Sequence, residues 1–431
     1  MYRTKGMTSS LGLLLICILG LSCLSSTGIF NQQQNQALAQ QYIPTIKYRN
    51  LVIDLGNGVK TNAQLTLPAV GKGPFPAVLL IHGSGAGDKN ETVGFVHKSG
   101  PKPSTPFWQI AQYLSERGFA VLRYDKRGVG GNNTISSNVW GNATVNDLIH
   151  DAEKALNVLV QQPEVDAKRI SIIGHSEGTI IAPRVAIDNS TKVKNIILMA
   201  ALAQNFGDLV FYQTVLLPPE YAKQVLDKNH TGLISIQQIA KDPVILLNLP
   251  IPQSILRPNN TKAITNTLVR KFGTNDSISI DKQLKPLLRK AYENLTALNL
   301  SKCNNFQGCP VWFRSQLSII PTLSIIGNVS KSIGILLLNG ENDSQTPVQQ
   351  AFLLQQRLTD VKHPDHTLIT YPNLGHLFYP SSEWLTGVGP IQQYVLADLY
   401  AWLESHSGLS HSYITTPTST LGANTTSSSK R

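Results

Sequence analysis

Cysteine is scarce in this chain. Only four occur in 431 residues, and two of them, Cys17 and Cys23, sit inside an apolar stretch near the start. The other two, Cys303 and Cys309 in "CNNFQGC", are too few for a fold stapled by disulfides. Without nearby histidines they also supply only half of a zinc site. Charge is thin as well: 15% of residues are Asp, Glu, Lys or Arg, although the balance is +11. No segment packs Lys and Arg densely or interleaves them with aromatics, so the footprint of nucleic-acid binding is missing. A diffuse positive balance suits solubility or an anionic surface instead.

What is present begins at the N-terminus. Arg3 and Lys5 precede "LGLLLICILGLSCL", and polar sequence follows, which is the order of a secretory signal. The "ALA" of Ala37 to Ala39 offers a cleavage site, giving a signal over residues 1–39. An uncleaved anchor stays open, because Leu11 to Phe30 is nearly long enough to span a bilayer. "GLSC" resembles a lipid-attachment site, but Gly20 stands where an aliphatic residue belongs. Loss of Arg3 and Lys5 with the signal would lower the balance from +11 to about +9. Export would let Cys303 and Cys309 close a small disulfide loop. About a dozen N-x-[ST] sequons, among them Asn90, Asn142, Asn294 and Asn299, suit a glycosylated surface. The Ser/Thr-rich stretch 407–431 carries too little apolar surface to fold and reads as a disordered tail.

Between these ends, strand and helix patterns alternate. "TIKYRNLVIDL" and "VKTNAQLTLPA" flank Gly56 to Gly58 as a hairpin. "FPAVLLIHG" is a continuous apolar run of the kind buried in a parallel sheet. A helix is expected from Thr105 to Arg117, a strand from Phe119, a helix from about Val145 to Val160, and a strand leading to Ser176. "VKNIILMAA", "IGILLLNGEND" and "HTLITYP" add strands, and a last helix runs from about Ile391 to Glu404. This rhythm indicates an α/β fold with a mainly parallel central sheet flanked by helices. It breaks at residues 204–332, where amphipathic stretches and prolines predict a helical cap inserted between core parts 40–203 and 333–406.

The strand ends carry the chemistry. "GHSEG" places Ser176 between two glycines at a strand-turn-helix corner; "NGENDSQTP" contains Asp343 and "YPNLGHLFYP" contains His376. Each lies beyond a different expected strand, in the order Ser, Asp, His. A serine hydroxyl attacks only when an imidazole takes its proton, and that imidazole needs a carboxylate to fix its tautomer. Glu341 is the nearest alternative acid and Asp365 the next, while the other histidines considered (His97, His150, His230, His363, His366) read as surface or loop residues.

With these motifs the chain resembles the α/β-hydrolase superfamily across most of Thr45 to Ser405. "IHGSGAGD", "RYDKRGVG" and "GHSEG" look like the serine esterases and acyl hydrolases related to dienelactone hydrolases. The resemblance implies Ser176 as nucleophile, His376 as general base and acid, and Asp343 as its orienting carboxylate. It also implies an oxyanion hole from the backbone N–H groups of Ser84 and Glu177. His82, Gly83 and Gly85 are expected to shape that turn, and Asp125 and Arg127 to brace neighbouring loops.

"DKNHTGLISIQQ", Asp227 to Gln238, follows the calcium-loop template, but Gln238 replaces the bidentate Glu, so weak binding or an ordinary turn are the two readings. The expected function is an exported, secreted or cell-surface serine hydrolase of the carboxylesterase type. It would take a small-molecule ester through an acyl-enzyme, with no metal or organic cofactor and no nucleic acid. A peptidase or amidase, an acyltransferase, and a non-catalytic surface-binding protein are the rivals. Peripheral or N-terminal membrane association and the oligomeric state are left open.

Overall fold

The computed structural model describes residues 45–94, 103–131, 134–251, 255–256, 260–297 and 310–409. The signal region, Cys303 and Cys309, His97, Asn299 and the end of the tail lie outside the described residues.

Among the described residues ten strands form: β1 (Ile46–Gly56), β2 (Val59–Pro68), β3 (Phe75–Ile81), β4 (Ala120–Tyr124), β5 (Val165–His175), β6 (Val193–Met199), β7 (Leu233–Ser235), β8 (Ser277–Ser279), β9 (Gly334–Gly340) and β10 (His366–Tyr371). Eight make one sheet in the order β1-β2-β4-β3-β5-β6-β9-β10. Strand β2 runs antiparallel to both its neighbours, and every pairing from β4 to β10 is parallel. The inner strands β3, β6 and β9 are buried on both faces and show continuous apolar runs rather than alternation, whereas the edge strand β10 is half-buried. Strand β3 illustrates this. Ala77, Leu79 and Ile81 join the core on one face, and Val78 and Leu80 the core on the other.

The helices covering those faces are α1 (Pro106–Ser115), α2 (Val145–Val160), α3 (Gly178–Asp188), α4 (Pro310–Ser318), α5 (Val348–Asp360) and α6 (Gln393–Ser407). Helix α2 starts at a capping box, Thr144 and Asp147 each satisfying the other's backbone N–H. Helices α2 to α5 contribute to the first core, α1 and α6 to the second.

The segment between β6 and β9 divides its apolar residues. Phe206, Leu209, Val210, Trp312 and Phe313 join the first core. Residues from Tyr221 to Leu288 build a separate core with Trp384 and Leu385 packed against it. This outer lobe is mostly helical, yet it also holds the ribbon β7–β8, paired antiparallel, which the helical expectation lacked. Among the described residues no helix is long and apolar enough to cross a membrane.

Candidate active site

Ser176 stands between β5 and α3 with φ +52°, a left-handed conformation that costs a non-glycine residue about 1 kcal/mol or more. The corner is held by contact. A Cβ at Gly178 would lie 2.2 Å from the Ile81 carbonyl oxygen, and one at Gly174 would lie 2.2 Å from that of Gly178. Only glycine permits this approach of backbone to backbone. The Ser176 N–H donates to the Met199 carbonyl at 3.0 Å, tying the turn to β6.

Asp343 lies in the turn after β9 and is buried. Its oxygens accept from the N–H groups of Gln345 (2.8 Å) and Thr346 (2.9 Å) and from the Thr346 hydroxyl (2.8 Å). His376 lies beyond β10, with Nδ1 2.9 Å and 3.1 Å from the Asp343 oxygens. A ring that donates from Nδ1 to a carboxylate keeps Nε2 as acceptor, the form a general base requires. Glu341 instead accepts from the Thr370 hydroxyl, and Asp365 pairs with His406.

His376 is brought to the Ser176 corner by its neighbour. The ring centroids of His175 and His376 are 4.8 Å apart, and His175 Nε2 donates to the His376 carbonyl at 3.0 Å. His175 Nδ1 meets Glu91 Oε1 at 2.9 Å. Both ring nitrogens face acceptors, so the ring is satisfied as the imidazolium. Burial alone would lower the His175 pKa, but the Glu91 carboxylate outweighs it and raises the pKa above the ordinary value. Burial alone would raise the Glu91 pKa; the His175 charge and the Gly83 N–H hold it below the ordinary range.

The turn after β3 closes on the same corner. A Cβ on Gly83 would come within 3.1 Å of Ser176 Cβ and 2.9 Å of Glu91 Oε1. Gly85 has φ +95°, and Ser84 is exposed at the tip. His82 is buried against Phe107 and Tyr124. Its burial, then the charge of Lys126, pushes its pKa down to about 4. Asp125 accepts from the Lys89 N–H at 2.7 Å. Arg127 grips Asp151 through two bonds of 2.6 and 2.7 Å and pairs with Asp147 at 3.0 Å, fixing the loop to α2.

Asp227, first residue of the calcium-like loop, spends its carboxylate on its own turn, accepting from the N–H groups of Thr231 and Gly232 and the Thr231 hydroxyl. Gln238 forms a capping box with Ser235.

Glu91, His175, Lys126, Trp312, Gln316 and Thr346 also surround the corner and were not among the residues expected from the sequence. His175, Lys126 and Thr346 stand inside motifs quoted for other residues, and Glu91 lies three residues past one.

Two family descriptions match the chain: "Serine aminopeptidase, S33" over residues 90–229 and "Prolyl oligopeptidase family" over 305–410. Esterase EstD of Thermotoga maritima is 34% identical over 149 residues, 34% of this chain and 32% of that protein. The mainly parallel sheet and these matches agree on the α/β-hydrolase fold. Esterase FrsA of Yersinia pestis is 24% identical over 168 residues, 39% of this chain and 35% of its own length. The match thus spans about a third of each of these curated relatives. The solved structure of Est1E from Butyrivibrio proteoclasticus aligns over 84% of this chain and 99% of its own, with a TM-score of 0.42 and 13% identity.

Proposed function

We propose that this α/β-hydrolase is an exported serine hydrolase that cleaves carboxylic esters through an acyl-enzyme. The observation that carries the reading is the buried 2.9 Å contact from His376 Nδ1 to Asp343, set beside the strained Ser176 corner. Ser176 Oγ attacks the ester carbonyl while His376 Nε2 takes its proton, and Asp343 stabilises the resulting imidazolium. The tetrahedral oxyanion is received by the N–H groups of Ser84 and Glu177. On collapse His376 returns the proton to the leaving alkoxide. Water then repeats the sequence and releases the acid.

The apolar N-terminal segment and the sequons support export to the outside or the cell surface. A Cys303–Cys309 disulfide belongs to the same reading, and equal free-thiol counts with and without reductant would dismiss it. The test of the chemistry is Ser176→Ala. The variant keeps its fold, shown by circular dichroism, and loses turnover of short p-nitrophenyl esters and labelling by a fluorophosphonate. Retained turnover would end the assignment.

A second reading, peptidase or amidase action by the same residues, is favoured by one observation: both matching families carry peptidase names. Aminoacyl and prolyl p-nitroanilides run beside the esters decide between the two.

A further inference from the structure

A peptide bond is planar and trans, so its carbonyl and its N–H point in opposite directions. The carbonyl of Gly83 therefore fixes the aim of the Ser84 N–H, because both belong to one amide. That carbonyl accepts a hydrogen bond from Lys126 Nζ. The same ammonium lies 2.5 Å from Glu177 Oε2, and both side chains are buried, 3% and 0% exposed. The other carboxylate oxygen of Glu177 accepts from Trp312 Nε1 at 2.6 Å and from Gln316 Nε2, both on α4. On the opposite side of Gly83, its N–H donates to Glu91 Oε1 at 2.5 Å. One cation thus ties the amide that carries the Ser84 N–H to the side chain of Glu177, and Glu91 steadies the turn from behind.

A buried ion pair is weak evidence for stability, since an apolar pair of similar size often serves as well. Its geometry here is better explained by what it points at. We infer that Lys126 is a positioning residue of the oxyanion hole, holding the Gly83 carbonyl and the Glu177 carboxylate together so that the N–H groups of Ser84 and Glu177 converge on one point. The inference rests on the ester-hydrolase reading above. Donors so aimed act on charge that develops only in the transition state, so the effect falls on kcat and leaves KM nearly unchanged.

The experiment uses the full chain and the variant Lys126→Met/Glu177→Gln, which removes both charges together and strands neither in the interior. Each protein is assayed on an O-ester and on the matching thionoester, whose sulfur is a poor hydrogen-bond acceptor and so depends less on the hole. Expected is a fall in kcat on the O-ester of roughly tenfold or more with KM unchanged, and a contraction of the O-ester to thionoester ratio by a similar factor. An unchanged kcat, or a fall that leaves the ratio intact, overturns the inference. If the double variant does not fold, Glu177→Gln alone, nearly isosteric, is read the same way: a smaller contraction supports the role and an unmoved ratio refutes it. Wild-type labelling at Ser176 by a fluorophosphonate separates the two levels. An unlabelled wild type removes the hydrolase reading and this inference with it, whereas a labelled wild type with an unmoved ratio removes the inference alone.

Discussion

The carboxyl edge of the sheet and the outer lobe above it bury charge and apolar surface on opposite plans. At the edge, long parallel strands are covered by helices, and charged groups such as Glu91 with His175, Lys126 with Glu177 and Asp343 with His376 are paired inside. In the lobe, 3-residue strands and short helices, two of them in π-helical turns at Ala222–Leu226 and Ile280–Leu284, share one modest core. An ion pair there, Lys223 with Asp281, lies in the open. Interiors packed from two sides transmit strain and hold groups to fractions of an ångström; short, loosely covered elements open at lower cost. On the proposed function, the reaction geometry belongs to the first region. A third π-helical turn, Tyr212–Leu216, joins them, where Gln213 Nε2 donates to the Gln345 carbonyl in the Asp343 loop at 2.7 Å.

The largest expected effect breaks the edge. Asp343→Asn leaves the fold intact but removes the acceptor for His376 Nδ1, and kcat on esters falls about 10⁴-fold; a loss under tenfold would mean another acid serves. Next in size is Leu79→Ala in the sheet, which lowers global stability by about 2–5 kcal/mol in urea unfolding. Ile278→Ala, equally buried but in the lobe, is expected to loosen hydrogen exchange only over residues 221–288. Equal global effects from both would dissolve the contrast.

A smaller effect comes from pH. The native His82 pKa of about 4 lies below the ordinary 6.5. As pH falls below 6.5 the unfolded chain therefore binds a proton that the native state refuses. Stability is lost between pH 6.5 and 4, by about 3 kcal/mol at most. The slope should flatten in His82→Phe, and identical slopes would place the cause elsewhere. Smallest of all, Lys223→Ala leaves the melting temperature where it was, because an exposed pair stabilises little.

The frame was legible where one local rule governs many residues. Val145–Val160 has apolar positions at helical spacing, and the observed helix has those bounds. The run Phe75–Ile81 is apolar at every position, as burial on two faces demands. The corner at Ser176 was legible because glycine is required on both sides of it. The ribbon β7–β8 was not, because two 3-residue strands separated by over 40 residues leave no periodicity to read. The link from Lys126 to Glu177 was hidden for a different reason. Charged residues in loops look solvated, and only the fold shows that these two meet across the core.

The near contact of Gly178 with the last carbonyl of β3 has a thermal consequence. A joint made of backbone alone has no rotamers to thaw, so the serine and the turn facing it cannot drift apart by side-chain loosening. Warming should leave catalysis intact until the strands themselves separate, and the temperature at which turnover collapses should coincide with the melting of the sheet rather than precede it.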